Sequence, residues 1–415
     1  MKFNKWTLGL AALGAVSLTS VAQAEEKMML GSQAELTSTT ISGYVSASAA
    51  WDFGRANELA NTRGYAYSGG KGDGFNLDVV DITLEKALDE SEWAAGYKAE
   101  LWFGPDAAGI GSRVTQTAAP AGQAGDVAIK QAYVALRTPI GNGLDWKIGV
   151  FDTIIGYESS NAGDNPNYTR SWGYSIEPTE HTGILGTYRV CDSVAVSFGL
   201  ANTWNASING RDSGNVDASK TWMASVSLTA PESFGFLHGG SLYGGIVSGK
   251  QSGVGVPQAF RTSYYLGATI PTPVEGLKAG IAYDHVELNG NGAAAGFVVD
   301  NSSSDAVGVY LSFAATEKLT IHSRLEYLNL GGDGIPAAVA TGAGNLLGNA
   351  AFGPGDDFLT TTLTADYQLW KNVISRVEFR WDHDLDEGSA VGGDHFRSGT
   401  HTDEMSLLAN VIYKF

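Results

Sequence analysis

The most constraining feature of this chain is a period-two alternation of apolar and polar residues that recurs in short segments over nearly its whole length. From Ile41 the odd positions read Ile41, Gly43, Val45, Ala47, Ala49, Trp51 and Phe53, against Ser42, Tyr44, Ser46, Ser48, Ala50 and Asp52. Such a period belongs to a β-strand with one apolar face. Comparable segments fall at 39–53, 76–88, 92–103, 127–138, 143–152, 181–190, 194–206 and 217–229. Eight more lie at 239–249, 260–270, 275–288, 304–314, 318–330, 357–370, 373–383 and 404–415, making sixteen.

The connections alternate in length. Tight ones lie at Asp89–Ser91, Pro139–Asn142, Cys191–Ser193, Pro271–Val274, Ala315–Glu317 and Lys371–Asn372, with a longer exception at Ala230–His238. Between them fall loops at 54–75, 104–126, 153–180, 207–216, 250–259, 289–303, 331–356 and 384–403, rich in turn-forming residues. Short turns at one end and long loops at the other, on an even number of strands, predict a closed antiparallel up-and-down transmembrane β-barrel of sixteen strands, all-β, with both termini periplasmic. Composition agrees: 54 of 415 residues are Gly, and only 17% are Asp, Glu, Lys or Arg, below the ~25% of soluble domains. The net charge of -18 disfavours nucleic acid as a partner, and the single Cys191 leaves no internal disulfide or multi-cysteine metal site.

At the N-terminus, Lys2 and Lys5 precede the apolar run Leu8–Leu18, and Ala22-Gln23-Ala24 follows. This is the pattern of a secretory signal cleaved after Ala24. The expected organisation is a signal peptide at 1–24, a periplasmic segment at 25–38 and a barrel at 39–415. Aromatic residues near strand ends, Trp51, Tyr67, Trp93, Trp102, Trp204, Trp222, Tyr283 and Trp370, are expected to form interfacial girdles.

Sixteen strands enclose a bore too wide for side chains to fill. Charges forbidden against lipid alternate with apolar residues, as in His322, Arg324 and Glu326 or Arg376, Glu378, Arg380 and Asp382. Together with Lys98, Glu100 and Lys147 these are the expected pore-lining residues. Inferred lumen acids (Asp81, Glu85, Glu100, Asp145, Asp284, Glu326, Asp366, Glu378, Asp382) outnumber bases (Lys98, Lys147, Lys278, Arg324, Arg376, Arg380) nine to six, which predicts a modest, salt-sensitive cation preference.

The last segment places Leu407, Ala409, Val411, Tyr413 and Phe415 on one face and stops at that phenylalanine. This resembles the C-terminal signature that barrel-assembly machinery reads in Gram-negative outer-membrane barrels, with Tyr413 and Phe415 as the signal. The stretches Ala128-Ile129-Lys130-Gln131-Ala132-Tyr133-Val134, Pro139-Ile140-Gly141-Asn142-Gly143, Asn165-Pro166-Asn167-Tyr168-Thr169-Arg170-Ser171 and Ser375-Arg376-Val377-Glu378-Phe379-Arg380-Trp381-Asp382 resemble the OmpL-like β-barrel porins over nearly all of the mature chain. The resemblance implies an outer-membrane porin for passive diffusion of ions and small hydrophilic solutes, set among outer-membrane lipid and lipopolysaccharide, with no cofactor. A homotrimer is the assembly such a barrel leaves open. In porins the connection after the fifth strand folds inward, and by that analogy Glu158, Asp164, Arg170, Glu177 and Glu180 of loop 153–180 are the candidate constriction, facing Arg324, Arg376 and Arg380. The Pro-Glu-Phe-Gly-type turn of the enterobacterial porins is missing from this loop.

Two other constellations stand out. Asp382, Asp384, Asp386 and Gly388 approximate a calcium loop, but the glycine is one place late and position twelve is Gly393. Asp394, His395, Ser398, His401 and Asp403 could supply hydrolytic groups. The alternative function is therefore a barrel whose extracellular loops carry a hydrolytic or a structural, adhesive role. Nothing matches a Walker motif, a dinucleotide fingerprint, zinc spacing or G-x-S-x-G.

Overall fold

The computed structural model describes residues 28–29, 39–53, 71, 74–110, 112, 114, 126–205, 208–211, 219–250, 260–289, 292–294, 297–299, 302–332, 357–385 and 402–415. The expected signal peptide at 1–24 lies outside the described residues, as does 25–38 apart from Met28–Met29, a two-residue strand paired with Ile41 and Thr40.

Among the described residues sixteen strands build one closed antiparallel barrel. They are β1 (Thr40–Asp52), β2 (Gly74–Lys86), β3 (Ala95–Gly104), β4 (Asp126–Thr138), β5 (Leu144–Asp152), β6 (Glu180–Cys191), β7 (Val194–Ala201) and β8 (Thr221–Thr229). The second half comprises β9 (Ser241–Lys250), β10 (Phe260–Pro271), β11 (Leu277–Asn289), β12 (Ser302–Ala314), β13 (Leu319–Gly332), β14 (Asp357–Tyr367), β15 (Val373–Asp384) and β16 (Asp403–Lys414). Each pairs with its sequence neighbours, and β16 pairs with β1 from Ser406↔Asp52 to Lys414↔Tyr44. Phe415 completes the seam by exchanging backbone hydrogen bonds with Gly43 at 3.0 and 3.1 Å. A short hairpin, Gly292–Ala294 with Phe297–Val299, stands apart from the barrel sheet.

Polarity is inverted relative to a soluble sandwich. On β15, Arg376, Glu378, Arg380 and Asp382 are buried inward, while Val377 and Phe379 face out at 53% and 38% exposure. On β14, Thr360, Thr362 and Thr364 point in and Leu363 points out. Only a lipid surround removes the cost of so much exposed apolar surface, and a charge on that outer face would cost ~2–4 kcal/mol at mid-membrane.

The strand limits differ from the alternation in a few places. β3 begins at Ala95 because Asp89 accepts the Ser91 amide at 2.9 Å and extends the turn. β7 ends at Ala201 because the chain turns inward, Trp204 donating through its indole to the Ser263 hydroxyl at 3.1 Å. β14 ends at Tyr367 ahead of a turn in which Asn372 takes a φ of 65°. Two girdle expectations are corrected: Trp102 and Trp204 are buried inside, Trp102 donating to Asp81 at 2.9 Å. Their polar N–H groups find partners on the inner wall, which the outer face could not supply. Trp51, Trp93, Trp222, Tyr283 and Trp370 are exposed, and Tyr67 lies outside the described residues.

Candidate functional site: the loop seated in the bore

Two register shifts decide which charges reach the interior. Between β1 and β2 the pairing steps from Ser46↔Val79 to Ala47↔Leu77, leaving Asp78 as the extra residue. Between β3 and β4 it steps from Glu100↔Gln131 to Leu101↔Ile129, leaving Lys130. A bulge puts two consecutive residues on one side and reverses parity beyond it. Asp78 and Val79 are both fully buried, as are Lys130 and, nearly, Gln131. Asp78 accepts from Ser46 (2.8 Å), Ser48 (2.7 Å), Lys71 (2.7 Å) and the Tyr168 phenol (3.0 Å). Lys130 bridges Asp152 and, at 3.2 Å, Glu180, the residues at the two ends of the long connection between β5 and β6.

That connection, residues 153–179, reaches side chains on the far wall. Arg324 of β13 donates to Glu158 at 2.8 Å, to Glu326 at 2.6 Å, and to the Thr169 and Arg170 carbonyls at 2.7 and 3.1 Å. Glu378 accepts the Tyr168 and Thr169 amides at 2.6 and 3.0 Å. Arg380 donates to the Arg170 carbonyl at 2.8 Å, forks onto Asp382, and lies over the Trp172 ring at 5.3 Å. Glu326 accepts the Trp172 amide at 2.6 Å, where Ser171 caps the one-turn helix α1 (Trp172–Ile176) by accepting the Tyr174 amide. Arg376 reaches the Ala162 carbonyl at 3.0 Å, and Lys414 of β16 reaches Asp164 at 3.1 Å. Charge-assisted hydrogen bonds of this kind contribute ~1.5–3 kcal/mol each, and together they offset part of the entropy lost in ordering the segment.

Apolar packing fills in around these bonds. Ile154, Ile155 and Tyr157 of the loop join Phe151, Tyr243, Tyr265 and Tyr310 in an interior cluster, with Tyr157 stacked on Tyr310 at 4.1 Å. A second cluster joins Ala162 and Tyr174 to Tyr44, Trp102 and Ile412, and also takes in Ala107 and Ile110 of the connection after β3. Arg170 is the loop's internal staple, donating to the Ser159, Tyr168 and Ser160 carbonyls at 2.8 Å each.

The end of the loop rests on an acid pair. Glu177 and Asp284 of β11 are both about 5% exposed and make no ion pair among the described residues. Burial, then the facing Asp284 carboxyl, then Glu158, push Glu177 well above the usual carboxylate range. Both carboxyls pack on glycine backbone: a Cβ on Gly156 would come within 2.4 Å of Glu177 Oε2, and one on Gly173 within 2.4 Å of Asp284 Oδ2.

The sequence-derived candidates are therefore distributed as follows. Glu158, Asp164, Arg170 and Glu177 belong to the loop, whereas Glu180 is the first residue of β6. Glu326, Arg324, Arg376, Glu378, Arg380 and His322 point inward as the alternation requires, but the first five are covered by the loop and all are at most 3% exposed. Lys98 pairs with Glu100 at 2.7 Å and keeps 20% of its side chain exposed, and Lys147 is half-buried beside the Tyr133 ring. Tyr413 and Phe415 lie on the outer face at 51% and 47% exposure. Sequence reasoning missed Asp78 and Lys130, because a fixed parity assigns them to lipid. It also missed Arg261, which lies over the Trp204 ring at 4.3 Å and which simple alternation along β10 would have found. Of the calcium-like residues, Asp382 is held by Arg380 and Asp384 is buried, while Asp386, Gly388 and Gly393 lie outside the described residues. Asp403 accepts from Trp381 and His383 on the barrel exterior. Asp394, His395, Ser398 and His401 also lie outside the described residues.

This fold is similar to several solved outer-membrane barrels. The outer-membrane channel DcaP of Acinetobacter baumannii matches with a TM-score of 0.60 at 13% identity, over 91% of this chain and 97% of that one. An anion-selective porin from Comamonas acidovorans matches at 0.56 and 13%, over 91% and 99%. OmpT of Vibrio cholerae in a trimer form matches at 0.55 and 12%, over 91% and 99%. No curated protein matches the chain in sequence. The family model described as "Putative beta-barrel porin-2, OmpL-like" matches residues 38–415, so the chain belongs to the OmpL-like beta-barrel porin-2 family.

Proposed function

We propose that this outer-membrane porin forms a water-filled channel for passive diffusion of ions and small hydrophilic solutes, and that the loop at 153–179 narrows it. The observation that carries the reading is the pairing of Arg324 and Glu158 at 2.8 Å: a wall residue of β13 and a residue of the connection after β5 meet inside the barrel. A loop that joins two strands need not meet distant ones. Several contacts in parallel, to Glu326, Glu378, Arg380 and Lys414, hold it there. The half-exposed inner residues left on β2 to β5, Glu85, Lys98, Lys147 and Asp152, are the candidates to face the water path.

In this reading the segment 1–24 directs export and is removed, the short turns and both barrel ends of the chain face the periplasm, and the long loops face outward among lipopolysaccharide. Phe415, paired with Gly43, serves as the assembly signal read by the barrel-insertion machinery. A homotrimer is the proposed assembly, in keeping with the trimer form of one similar barrel. Liposomes containing the purified protein test the transport claim directly. They should swell in isotonic solutions of small sugars, at rates that fall steeply as the sugar grows. Swelling no faster than protein-free liposomes would reject the channel.

A further inference from the structure

Counting inward charges gives acid an excess, but the structure pairs most of them. Lys71 is held by Asp78 and Asp106, Lys98 by Glu100, Lys130 by Asp152 and Glu180, Arg324 by Glu158 and Glu326, Arg376 by Asp366, Arg380 by Asp382, and Lys414 by Asp164. Lys147 is different. It points into the bore from β5, half-buried, with no carboxylate within 4 Å among the described residues, and its close neighbour is the Tyr133 ring, 4.9 Å from the ammonium. An ammonium withdrawn from bulk water without a counter-charge is a standing attraction for an anion.

The neighbourhood adds shape to that charge. Register sets Glu85, Lys98, Tyr133 and Gly149 directly opposite one another in turn across β2, β3, β4 and β5. Lys147 lies two residues from Gly149 along its strand, on the same inner side as Tyr133. Of the acids in this row, Asp152 is taken by Lys130 and Glu100 by Lys98, and Glu85 stands beyond Lys98 at the far end. Gly149 adds no side chain, and a Cβ there would strike the β4 backbone at Ala132 O, 2.2 Å away. The row thus offers an uncompensated ammonium, a second partly exposed one and a partly exposed aromatic ring bordered by bare backbone.

We propose that Lys147, Lys98 and Tyr133 form a subsite for organic carboxylates in the bore, with the carboxylate on Lys147 and a flat apolar body against the Tyr133 ring. The site rests on the channel reading and gives it a solute class. It reverses the cation preference expected from the nine-to-six tally, because uncompensated charge, not total charge, sets the local field.

Planar-bilayer recordings of the full-length barrel test it. Across a potassium chloride gradient the reversal potential should lie on the chloride side. Benzoate should reduce chloride current in a saturable way, and benzamide, its neutral isostere, should not. Lys147→Met should weaken the benzoate effect about tenfold, the equivalent of ~1.4 kcal/mol, whereas Lys278→Met, at an exposed rim position, should leave it unchanged. Tyr133→Leu should weaken benzoate but not the chloride preference, and Lys147→Arg, which keeps the charge, should assemble and retain both. A cation-side reversal potential, equal action of benzoate and benzamide, or a Lys147→Met barrel that blocks like wild type would overturn the subsite while leaving the channel in place. Absence of any conductance would overturn the channel reading and the subsite with it.

Discussion

Glu177 shows how one protonation state can hold a loop in place. Its carboxyl faces Asp284 with no basic partner among the described residues, and its pKa is raised well above the ordinary 4.5. A carboxyl whose seated pKa is raised keeps its proton when the released form has lost it, so seating is strongest in acid. It weakens as pH climbs from about 4.5 toward the raised value. Channel current should therefore become noisier or larger with rising pH, and Glu177→Gln, which carries a permanent N–H₂ donor and no charge, should flatten that dependence. An unaltered pH profile in the Gln variant would contradict the shared-proton seat. Gly156 belongs to the same seat: at φ +116° and with Glu177 Oε2 in the way, Gly156→Ala is strained on both counts. A cost of ~1–3 kcal/mol in loop seating follows, visible as increased proteolysis at 153–179 with the barrel itself intact. None of this was legible in the sequence beyond the presence of the acids, because no local pattern says that residues 177 and 284 meet. Glu158 was a constriction candidate on loop position alone; its ion pair with Arg324 requires the barrel to close first.

At the scale of elements, the period-two pattern located all sixteen strands to within a few residues, since lipid on one side and water or polar groups on the other leave no freedom to mix faces. What it could not find were places where the period breaks. Asp78 and Lys130 sit at bulges, and a fixed parity sends them outward although each is fully buried inside. A signal was present: Asp78 shares a strand with Asp81, and no single parity puts both carboxylates in the bore. Deleting Asp78 should remove the bulge, leave the flanking pairs in register, and take away the carboxylate shared by Lys71 and the Tyr168 phenol, leaving Lys71 to Asp106 and the phenol to Ser48. The expected outcome is a barrel that assembles and migrates normally on electrophoresis without heating, but with a less protected loop on hydrogen exchange. The closing strand behaves differently. Phe415 supplies both backbone hydrogen bonds to Gly43, and its ring lies 3.0 Å from where a Gly43 Cβ would stand. Truncation before Phe415 removes the last rung of the seam as well as the terminal aromatic. Assembled protein in the outer membrane should fall several-fold by quantitative blotting, and unchanged assembly would count against the signature.

For the molecule as a whole, a polar interior inside an apolar shell and a family match over residues 38–415 define a porin. The chain's excess of acid says little about what passes, because most inner acids are spent on cations of the wall or on backbone amides of the loop. The connection between β5 and β6 is proposed both to occupy and to narrow an otherwise open bore. Single-channel conductance tests it most directly, comparing wild type with a barrel in which residues 157–176 are replaced by a short Gly-Ser link. Wild type should give discrete, ohmic steps and the shortened barrel markedly larger ones, because removing the seated segment uncovers Arg324, Glu326, Glu378 and Arg380 to water. Steps of equal size in the two proteins would contradict it.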